Sequence, residues 1–399
     1  MQHLRRYLIF AAVALLTLSS AAHTQSASAG SGRQVYAYYF GWYSGDSWND
    51  GRLTDRPAIP YSSADGGAIA RHIEQAQSAG IDAFIMSWFG PKGGNLTSVV
   101  FNMLLDQAAA RGFHAAASVD MFEGGYNAST GEVLDSLRYL IGDRVNHPGY
   151  LRYNGKPVIY FWNQGRFSLG DWANIRGQVD PNHNTIWVME GTNTSYLRTF
   201  DGLYLFNIAW SGNPAGTASA WYSRTRSAGG TFYTPTVMPG WDESRIAGRT
   251  NPTSPQARAQ GAFLRNSWYG AVSSGANTIL IVSWNEFLEG SYIEPSQALG
   301  TQALDILRPL IAAWKGHAPS VPAPEVAAQS ASGPAQQVLT ANYATVKVRA
   351  GAGLNYEQIG EIHQGETYPV LGKTNGWYKI SLNGRDGYVS GGFVTVRTQ

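Results

Sequence analysis

Short apolar runs alternate with amphipathic stretches from residue 33 onward, and this alternation predicts parallel strands joined by helices. The apolar runs predict strands at 35–40, 83–88, 115–120, 158–162, 185–189, 202–206, 232–237 and 278–284. The amphipathic stretches predict helices at 67–79, 96–111, 130–143, 216–227, 256–274 and 301–314. The link between the fifth and sixth strands is short and only weakly helical.

Eight such strands within residues 33–315 predict an α/β fold, a (β/α)8 TIM barrel, which typically needs about 250 residues. A doubly wound sheet is the alternative, but no Gly-x-Gly-x-x-Gly follows the first strand. Residues 316–337 are rich in Pro, Ala and Ser and predict a linker. Short β-type runs separated by Gly and Asn occupy residues 338–397 and predict a small all-β barrel.

The first 29 residues predict a signal peptide. Arg5 and Arg6 precede a short apolar run at 7–18, and small residues follow. Cleavage is expected after Ala22 or after Ala29. The alternative, an uncleaved membrane anchor, requires about 20 apolar residues, more than this run contains. We therefore expect a secreted or cell-surface protein with no membrane span after cleavage.

Composition excludes several classes of function. The formal net charge is +2 and only 14% of residues are charged, which argues against a nucleic-acid partner. Without cysteine there is no disulfide and no thiolate chemistry. The histidines are scattered without the spacing of metal ligands, and neither a Gly-x-Ser-x-Gly elbow nor a phosphate loop occurs. We expect no metal and no cofactor.

The segment after the most apolar strand carries the densest chemical signal. Glu286, Glu289 and Glu294 follow that strand within a few residues, at its carboxyl end. That end of a (β/α)8 barrel carries the active site. Buried carboxylates are costly there without a partner or a use, and glycoside hydrolysis uses two carboxyl groups. Glu286 and Glu289 are therefore the predicted catalytic pair, and Glu294, just before Pro295, is interpreted as structural.

Motifs in five parts of the chain resemble glycoside hydrolase family 99, a family of endo-α-mannosidases and endo-α-mannanases. They are Tyr-Tyr-Phe-Gly-Trp-Tyr at 38–43, Gly-Ile-Asp-Ala-Phe at 80–84 with Ser-Trp at 87–88, Gly-Lys-Pro-Val-Ile-Tyr at 155–160, Pro-Gly-Trp-Asp at 239–242, and Trp-Asn-Glu-Phe-Leu-Glu-Gly at 284–290 with Ile-Glu-Pro at 293–295. The resemblance implies a retaining mechanism. Glu286 would act as base on the 2-hydroxyl of the substrate to form a 1,2-anhydro sugar, and Glu289 as general acid and then base. From the residues alone, a glutamyl nucleophile and an inverting route stay open.

The chain departs from the family at the end of the third strand. Residues 118–122 read Ser-Val-Asp-Met-Phe where the family has His-Ile-Glu-Pro-Tyr. Asp120 keeps an acid as a shorter side chain and is predicted to contact a substrate hydroxyl, with an Asx turn as the alternative. The resemblance therefore implies an α-linked polysaccharide substrate, mannan-like or related, rather than one defined sugar.

Aromatic, acid and amide side chains at strand ends are the predicted substrate contacts. Aromatic faces hold the apolar face of a sugar, while polar groups bind its hydroxyls. The predicted set is Tyr39, Trp42, Trp88, Asp120, Trp162, Glu190, Asn207, Trp241, Trp284, Asn285 and Tyr292.

The C-terminal segment resembles a bacterial SH3 domain in residues 346–353, Tyr356, 376–380 and 384–389. This resemblance implies a cell-wall peptide or glycan as a further partner. The sequence thus predicts a secreted, endo-acting, retaining glycoside hydrolase with a polysaccharide substrate. The alternative is a catalytically silent glycan- or wall-binding protein that uses the barrel as a scaffold.

Overall fold

The structure is a computed structural model that describes most of the chain. The described residues are 32–92, 95–122, 125–249, 255–316, 337–342, 345–353, 356–364, 366–374, 376–382 and 385–398. The predicted signal peptide at 1–29 and almost all of the predicted linker lie outside the described residues, so both stay predictions. Within the described ranges, no helix combines the length and apolar character that a membrane span requires.

Parallel strands form the centre of the larger unit. They are β1 (Gln34–Tyr39), β2 (Ala83–Trp88), β3 (His114–Asp120), β4 (Lys156–Trp162), β5 (Ile186–Glu190), β6 (Gly202–Tyr204), β7 (Phe232–Thr234 and Thr236–Val237) and β8 (Thr278–Ile281). Each strand pairs with the next one along the chain, and β8 pairs with β1. The first part of β7 pairs with β6 and the second part pairs with β8, so the strands close into a barrel.

Helices between these strands cover the outside of the sheet. They are α1 (Gly66–Ser78), α2 (Leu96–Arg111), α3 (Thr130–Gly142), α4 (Leu169–Val179), α5 (Pro214–Ser227), α6 (Ala262–Ser273) and α7 (Gln302–Lys315). The predicted (β/α)8 fold is confirmed. A short antiparallel strand, Arg152–Tyr153, pairs with the start of β4.

Helix α4 is absent from the sequence-based prediction, and it is the main local difference. Its apolar positions do not form a strong stripe, because Trp172 and Ile175 share their buried face with Arg176. The signal that marks it is a capping box, in which Ser168 and Asp171 each bond the other's backbone amide. The predicted helix at 256–274 was too long at its start, since α6 begins at Ala262. Between β5 and β6 there is a 3-10 turn, Thr194–Arg198, as expected for a weakly helical link.

Polar contacts between tyrosines and hydroxyls organise the inside of the barrel. The hydroxyl of Tyr160 lies 2.9 Å from Thr234 Oγ1, which joins β4 to β7. The hydroxyl of Tyr38 lies 2.8 Å from Ser118 Oγ, which joins β1 to β3. Successive side chains of a strand point to opposite faces, so the neighbours of these inward groups point outward to the helices. That alternation decides which aromatic residues reach the site.

The C-terminal unit is all-β, as predicted, and the SH3-type fold is confirmed. Its strands are Gln337–Ala341, Thr345–Arg349, Gln358–His363, Thr367–Pro369, Gly372–Thr374, Trp377–Leu382, Arg385–Ser390 and Val394–Thr398. They form a three-stranded and a five-stranded antiparallel sheet around their own core, which includes Leu339, Val348, Ile362, Ile380 and Val389.

Candidate active site

The loop after β8 is held against the end of β1 by one buried amide. Asn285 Oδ1 accepts from the backbone amide of Phe40 at 2.8 Å, and Asn285 Nδ2 donates to the carbonyl of Phe40 at 2.9 Å. The hydroxyl of Tyr43 donates to the Asn285 carbonyl at 2.8 Å. Asn285 is fully buried, so the structure gives it a positioning role and does not bring it to a substrate. Its effect is to orient the next residue, Glu286.

Both predicted catalytic carboxyl groups open into one cavity at the carboxyl ends of the strands. The cavity has a volume of about 230 Å³. Its lining residues are Tyr38, Phe40, Trp42, Asp120, Phe122, Trp162, Phe206, Ile246, Arg249, Glu286, Leu288 and Glu289. Five of the residues chosen from the sequence, the two glutamates with Trp42, Asp120 and Trp162, therefore share a site.

The two glutamates experience unlike environments. Glu286 is 4% exposed, and its Oε1 accepts a hydrogen bond from the Leu288 amide at 3.1 Å. Burial, and then repulsion from the Glu289 carboxylate, raise the pKa of Glu286 well above its ordinary value. The Glu289 side chain is 13% exposed. Burial raises its pKa from 4.5 to about 7, although Arg249 opposes that rise. At neutral pH the pair therefore holds protons that a glycosidase can transfer.

Arg249, in the loop after β7, bridges two acidic side chains. Its Nη2 donates to Glu289 Oε1, and its Nε lies 3.1 Å from Glu243 Oε2. Glu243 is buried, and its charge adds to the rise in the pKa of Glu289. The backbone amide of Asp242 also donates to the Glu289 carbonyl at 2.8 Å. The loops after β7 and β8 thus form one connected wall of the cavity.

Asp120 lines the cavity and accepts hydrogen bonds from three hydroxyl groups. Ser118 Oγ donates to it at 2.6 Å, the Tyr38 hydroxyl lies 3.2 Å from its Oδ1, and Ser87 Oγ donates to its Oδ2. Burial is the largest influence on its pKa and raises it to about 7 despite these bonds. The Asx-turn interpretation does not describe this geometry, because the carboxylate bonds side chains of three different strands.

Aromatic rings form the rest of the wall. Trp42 lies 4.4 Å from Phe40, measured between ring centroids, and Trp162 lies 5.4 Å from Phe122. Both tryptophans are partly exposed. An aromatic wall beside carboxyl groups suits a sugar ring, which has one apolar face and polar edges.

The structure does not bring Tyr39, Trp88 or Trp284 to the cavity. The Tyr39 hydroxyl lies 3.1 Å from Nδ1 of His72 on α1, and the ring of Trp88 stacks on Tyr139 of α3 at 6.1 Å. Trp284 is fully buried and packs against β2. For Tyr39 and Trp88 the reason is the alternation along the strand: Tyr38 and Ser87 point inward, so the residues that follow them point outward.

Two further predicted contacts, Trp241 and Tyr292, are also buried away from the cavity surface. Trp241 lies behind the wall, with its ring edge-on to Phe206 at 6.2 Å. The Tyr292 hydroxyl donates to Asp55 Oδ2 at 2.7 Å. The remaining predicted contacts, Glu190 and Asn207, line a separate cavity at the same end of the barrel.

Sequence reasoning missed Arg249, Phe122 and Phe206. Phe122 and Phe206 follow β3 and β6, and their position just past a strand end is the signal that could have found them. Arg249 carries no such signal, since it lies well beyond β7 in an irregular loop. Across the described residues, no group of three His, Asp or Glu side chains is placed to hold a metal ion.

A parallel barrel with two buried carboxyl groups in one aromatic-lined cavity defines a site of the glycosidase class. The chain belongs to glycosyl hydrolase family 99, whose model matches residues 57–308. A bacterial SH3 domain model matches residues 344–395. Both resemblances drawn from the sequence motifs are thereby confirmed, and so is the predicted enzyme class.

Curated relatives include glycoprotein endo-alpha-1,2-mannosidase of Rattus norvegicus, which is 24% identical over 287 residues. That match covers 65% of this chain and 59% of the rat protein. Glycoprotein endo-alpha-1,2-mannosidase-like protein of Homo sapiens is 25% identical over 258 residues, covering 59% of this chain and 55% of the human protein. The chain thus spans little more than half the length of these relatives.

Among solved structures, the GH99 endo-alpha-mannosidase from Bacteroides thetaiotaomicron superposes with a TM-score of 0.62 at 22% identity. The superposition covers 71% of this chain and 98% of that chain. At this level of identity the likeness bears on the fold of the barrel.

Proposed function

We propose that this protein is an exported, endo-acting, retaining glycoside hydrolase that cuts an α-linked, mannose-containing polysaccharide. The observation that carries the proposal is the pair Glu286 and Glu289, which open into one aromatic-lined cavity and hold pKa values above those of ordinary carboxyl groups. Two carboxyl groups of unlike proton affinity are what glycosidic bond cleavage requires.

In the proposed first step, Glu286 takes the proton from the 2-hydroxyl of the sugar on the non-reducing side of the cut. The freed oxygen attacks C1, and Glu289 donates its proton to the departing glycosidic oxygen, which leaves a 1,2-anhydro sugar. In the second step, Glu289 takes a proton from water as that water attacks C1. The bond from C1 to O2 breaks, and Glu286 returns its proton to O2. Two inversions at C1 give net retention.

Arg249 must loosen its contact with Glu289 for this sequence to run. A guanidinium beside a carboxylate stabilises the ionised form, and Arg249 lowers the pKa of Glu289 accordingly. In the free protein the proton is therefore favoured on Glu286, whereas the proposed first step needs it on Glu289. We propose that an entering sugar displaces the guanidinium from Glu289, and that Arg249 then retains its second partner, Glu243.

The substrate class rests on the relatives, whose names describe cleavage of α-1,2-linked mannose, and on the carboxyl group of Asp120 in the cavity lining. Asp120 would accept a hydrogen bond from a sugar hydroxyl, at a place where the family carries a longer acid. The SH3-type unit would hold the enzyme at a cell-wall peptide or glycan, and the signal peptide would export it.

The test is release of reducing ends from soluble α-mannan. Glu286→Gln and Glu289→Gln should each lower the rate by at least about 100-fold, the usual contribution of a general acid or base. Glu74→Gln, on the exposed face of α1, is the matched control and should keep full activity. The anomeric form of the first product, followed by NMR, tests retention. Full activity in both glutamine variants would place the chemistry elsewhere.

The contact between Arg249 and Glu289 also favours a second candidate function, a glycan-binding protein without catalysis. A cation beside Glu289 favours the ionised form of this acid and so opposes proton donation. Under this alternative, the intact protein binds α-mannan but releases no reducing ends. Measuring both binding and release on the same preparation separates the two functions.

A further inference from the structure

A second cavity lies beside the active site at the same end of the barrel. Its volume is about 510 Å³, within the range of about 300–1,000 Å³ typical of small-molecule sites. The loops after β4, β5 and β6 form it, with Asn163, Glu190, Asn207 and Trp210 among its lining residues. Residues adjacent in sequence line different cavities: Trp162 and Phe206 line the active site, whereas Asn163 and Asn207 line the second cavity.

Trp210 supplies an exposed aromatic face that is held in place. It is 58% exposed, although tryptophan is a residue that folding usually buries. Its indole Nε1 donates to the Asn207 carbonyl at 2.8 Å, which fixes the edge of the ring and leaves the face to solvent. A ring that is already oriented loses little conformational entropy when a ligand stacks on it.

Glu190 supplies an acceptor inside the same cavity. The side chain of Gln164 makes two hydrogen bonds to the backbone of Glu190. Gln164 Nε2 donates to the Glu190 carbonyl at 2.5 Å, and the Glu190 amide donates to Gln164 Oε1 at 3.2 Å. Within the described part of the barrel, one long hydrogen bond reaches the Glu190 carboxylate, from the Phe206 amide at 3.5 Å. The Glu190 carboxylate can therefore accept further hydrogen bonds from sugar hydroxyls.

We propose that this second cavity, the Trp210 cavity, is a sugar-binding site for a residue of the polysaccharide that lies outside the cavity where the bond is cut. A fixed aromatic face beside a carboxylate acceptor matches a sugar ring, which stacks through its C–H face and donates from its hydroxyls. The proposal rests on the proposed function, because it assigns the two cavities to one polymer. It makes the enzyme selective for chains long enough to reach from one cavity to the other.

Affinity electrophoresis in gels that contain soluble α-mannan measures the binding directly and does not depend on cleavage. Trp210→Ala should weaken the retardation of the full-length protein about tenfold, as expected when an aromatic stacking contact is lost. Glu190→Gln keeps the shape of the side chain, removes its charge and should weaken binding as well. Tyr269→Ala is the matched control, since Tyr269 is also 58% exposed but lies on α6, and it should leave binding unchanged.

Steady-state kinetics provides a second test of the proposal. Trp210→Ala should lower kcat/KM on α-mannan about tenfold and leave kcat/KM on α-mannosyl fluoride, whose single sugar occupies only the active site when it reacts, unchanged. Equal retardation of Trp210→Ala and the intact protein would overturn the inference while leaving the proposed hydrolase intact. An equal loss in Tyr269→Ala would overturn it too. If the intact protein neither binds nor cuts α-mannan, the inference and the proposed substrate are both wrong.

Discussion

Replacing Asp120 with Asn should stabilise the barrel at alkaline pH while impairing the site. Asp120 is 4% exposed, and burial raises its pKa from 3.8 to about 7. A carboxyl group with a raised pKa binds its proton more tightly in the folded protein than in the unfolded chain. The contribution of Asp120 to the free energy of unfolding is therefore highest below about pH 4 and falls as the pH rises towards 7.

The magnitude follows from the difference between the two pKa values. About three pKa units, at about 1.4 kcal/mol each, make the ionised carboxylate cost about 4 kcal/mol at pH 8. At pH 5 the same group costs about 2 kcal/mol, because the folded form is then largely protonated. Asparagine has nearly the same shape and no charge, and the hydroxyls of Ser118, Ser87 and Tyr38 can rotate to meet its amide.

Urea unfolding followed by tryptophan fluorescence, at pH 5 and at pH 8, measures the effect. Asp120→Asn should gain about 4 kcal/mol at pH 8, or roughly 10 °C in the Tm of the barrel, and about half as much at pH 5. Asp135→Asn, on the exposed face of α3, is the control and should show no gain that depends on pH. A gain of equal size at both pH values would refute the idea that burial of a charge sets this pKa.

Two further predictions concern the charge beside Glu289 and the packing of the barrel. Arg249→Gln removes the cation that lowers the pKa of Glu289, so the alkaline limb of the pH–activity profile should move to higher pH. An alkaline limb that does not move would contradict the proposed role of Glu289 as general acid. Gly202→Ala should destabilise the barrel by at least about 3 kcal/mol, because a Cβ there would lie 1.8 Å from a carbonyl oxygen of β7. Gly177→Ala, in α4 with open space around it, is the control and should stabilise by about 1 kcal/mol in the same denaturation assay.

The catalytic loop and the strands of the barrel were predictable because their signals are local. An apolar run that ends in Trp-Asn-Glu-Phe-Leu-Glu identifies both a buried strand and the acids at its end. Helix α4 was missed because tertiary packing buries Arg176 on its inner face, which weakens the apolar stripe that periodicity depends on. Its capping box was present in the sequence all along.

Tertiary structure alone decided which side chains meet in the cavity. Periodicity shows that the side chains of a strand alternate, but it does not show which set faces the barrel interior. Tyr39 and Trp88 were therefore assigned to the site although they pack outward against helices. Arg249 and Asp120 lie far apart in sequence, and only closure of the barrel brings both to Glu289 and Glu286. Composition and spacing thus determine the fold and the positions of Glu286 and Glu289 in the chain. Burial and long-range contacts determine the pKa values of these two glutamates and the side chains that surround them.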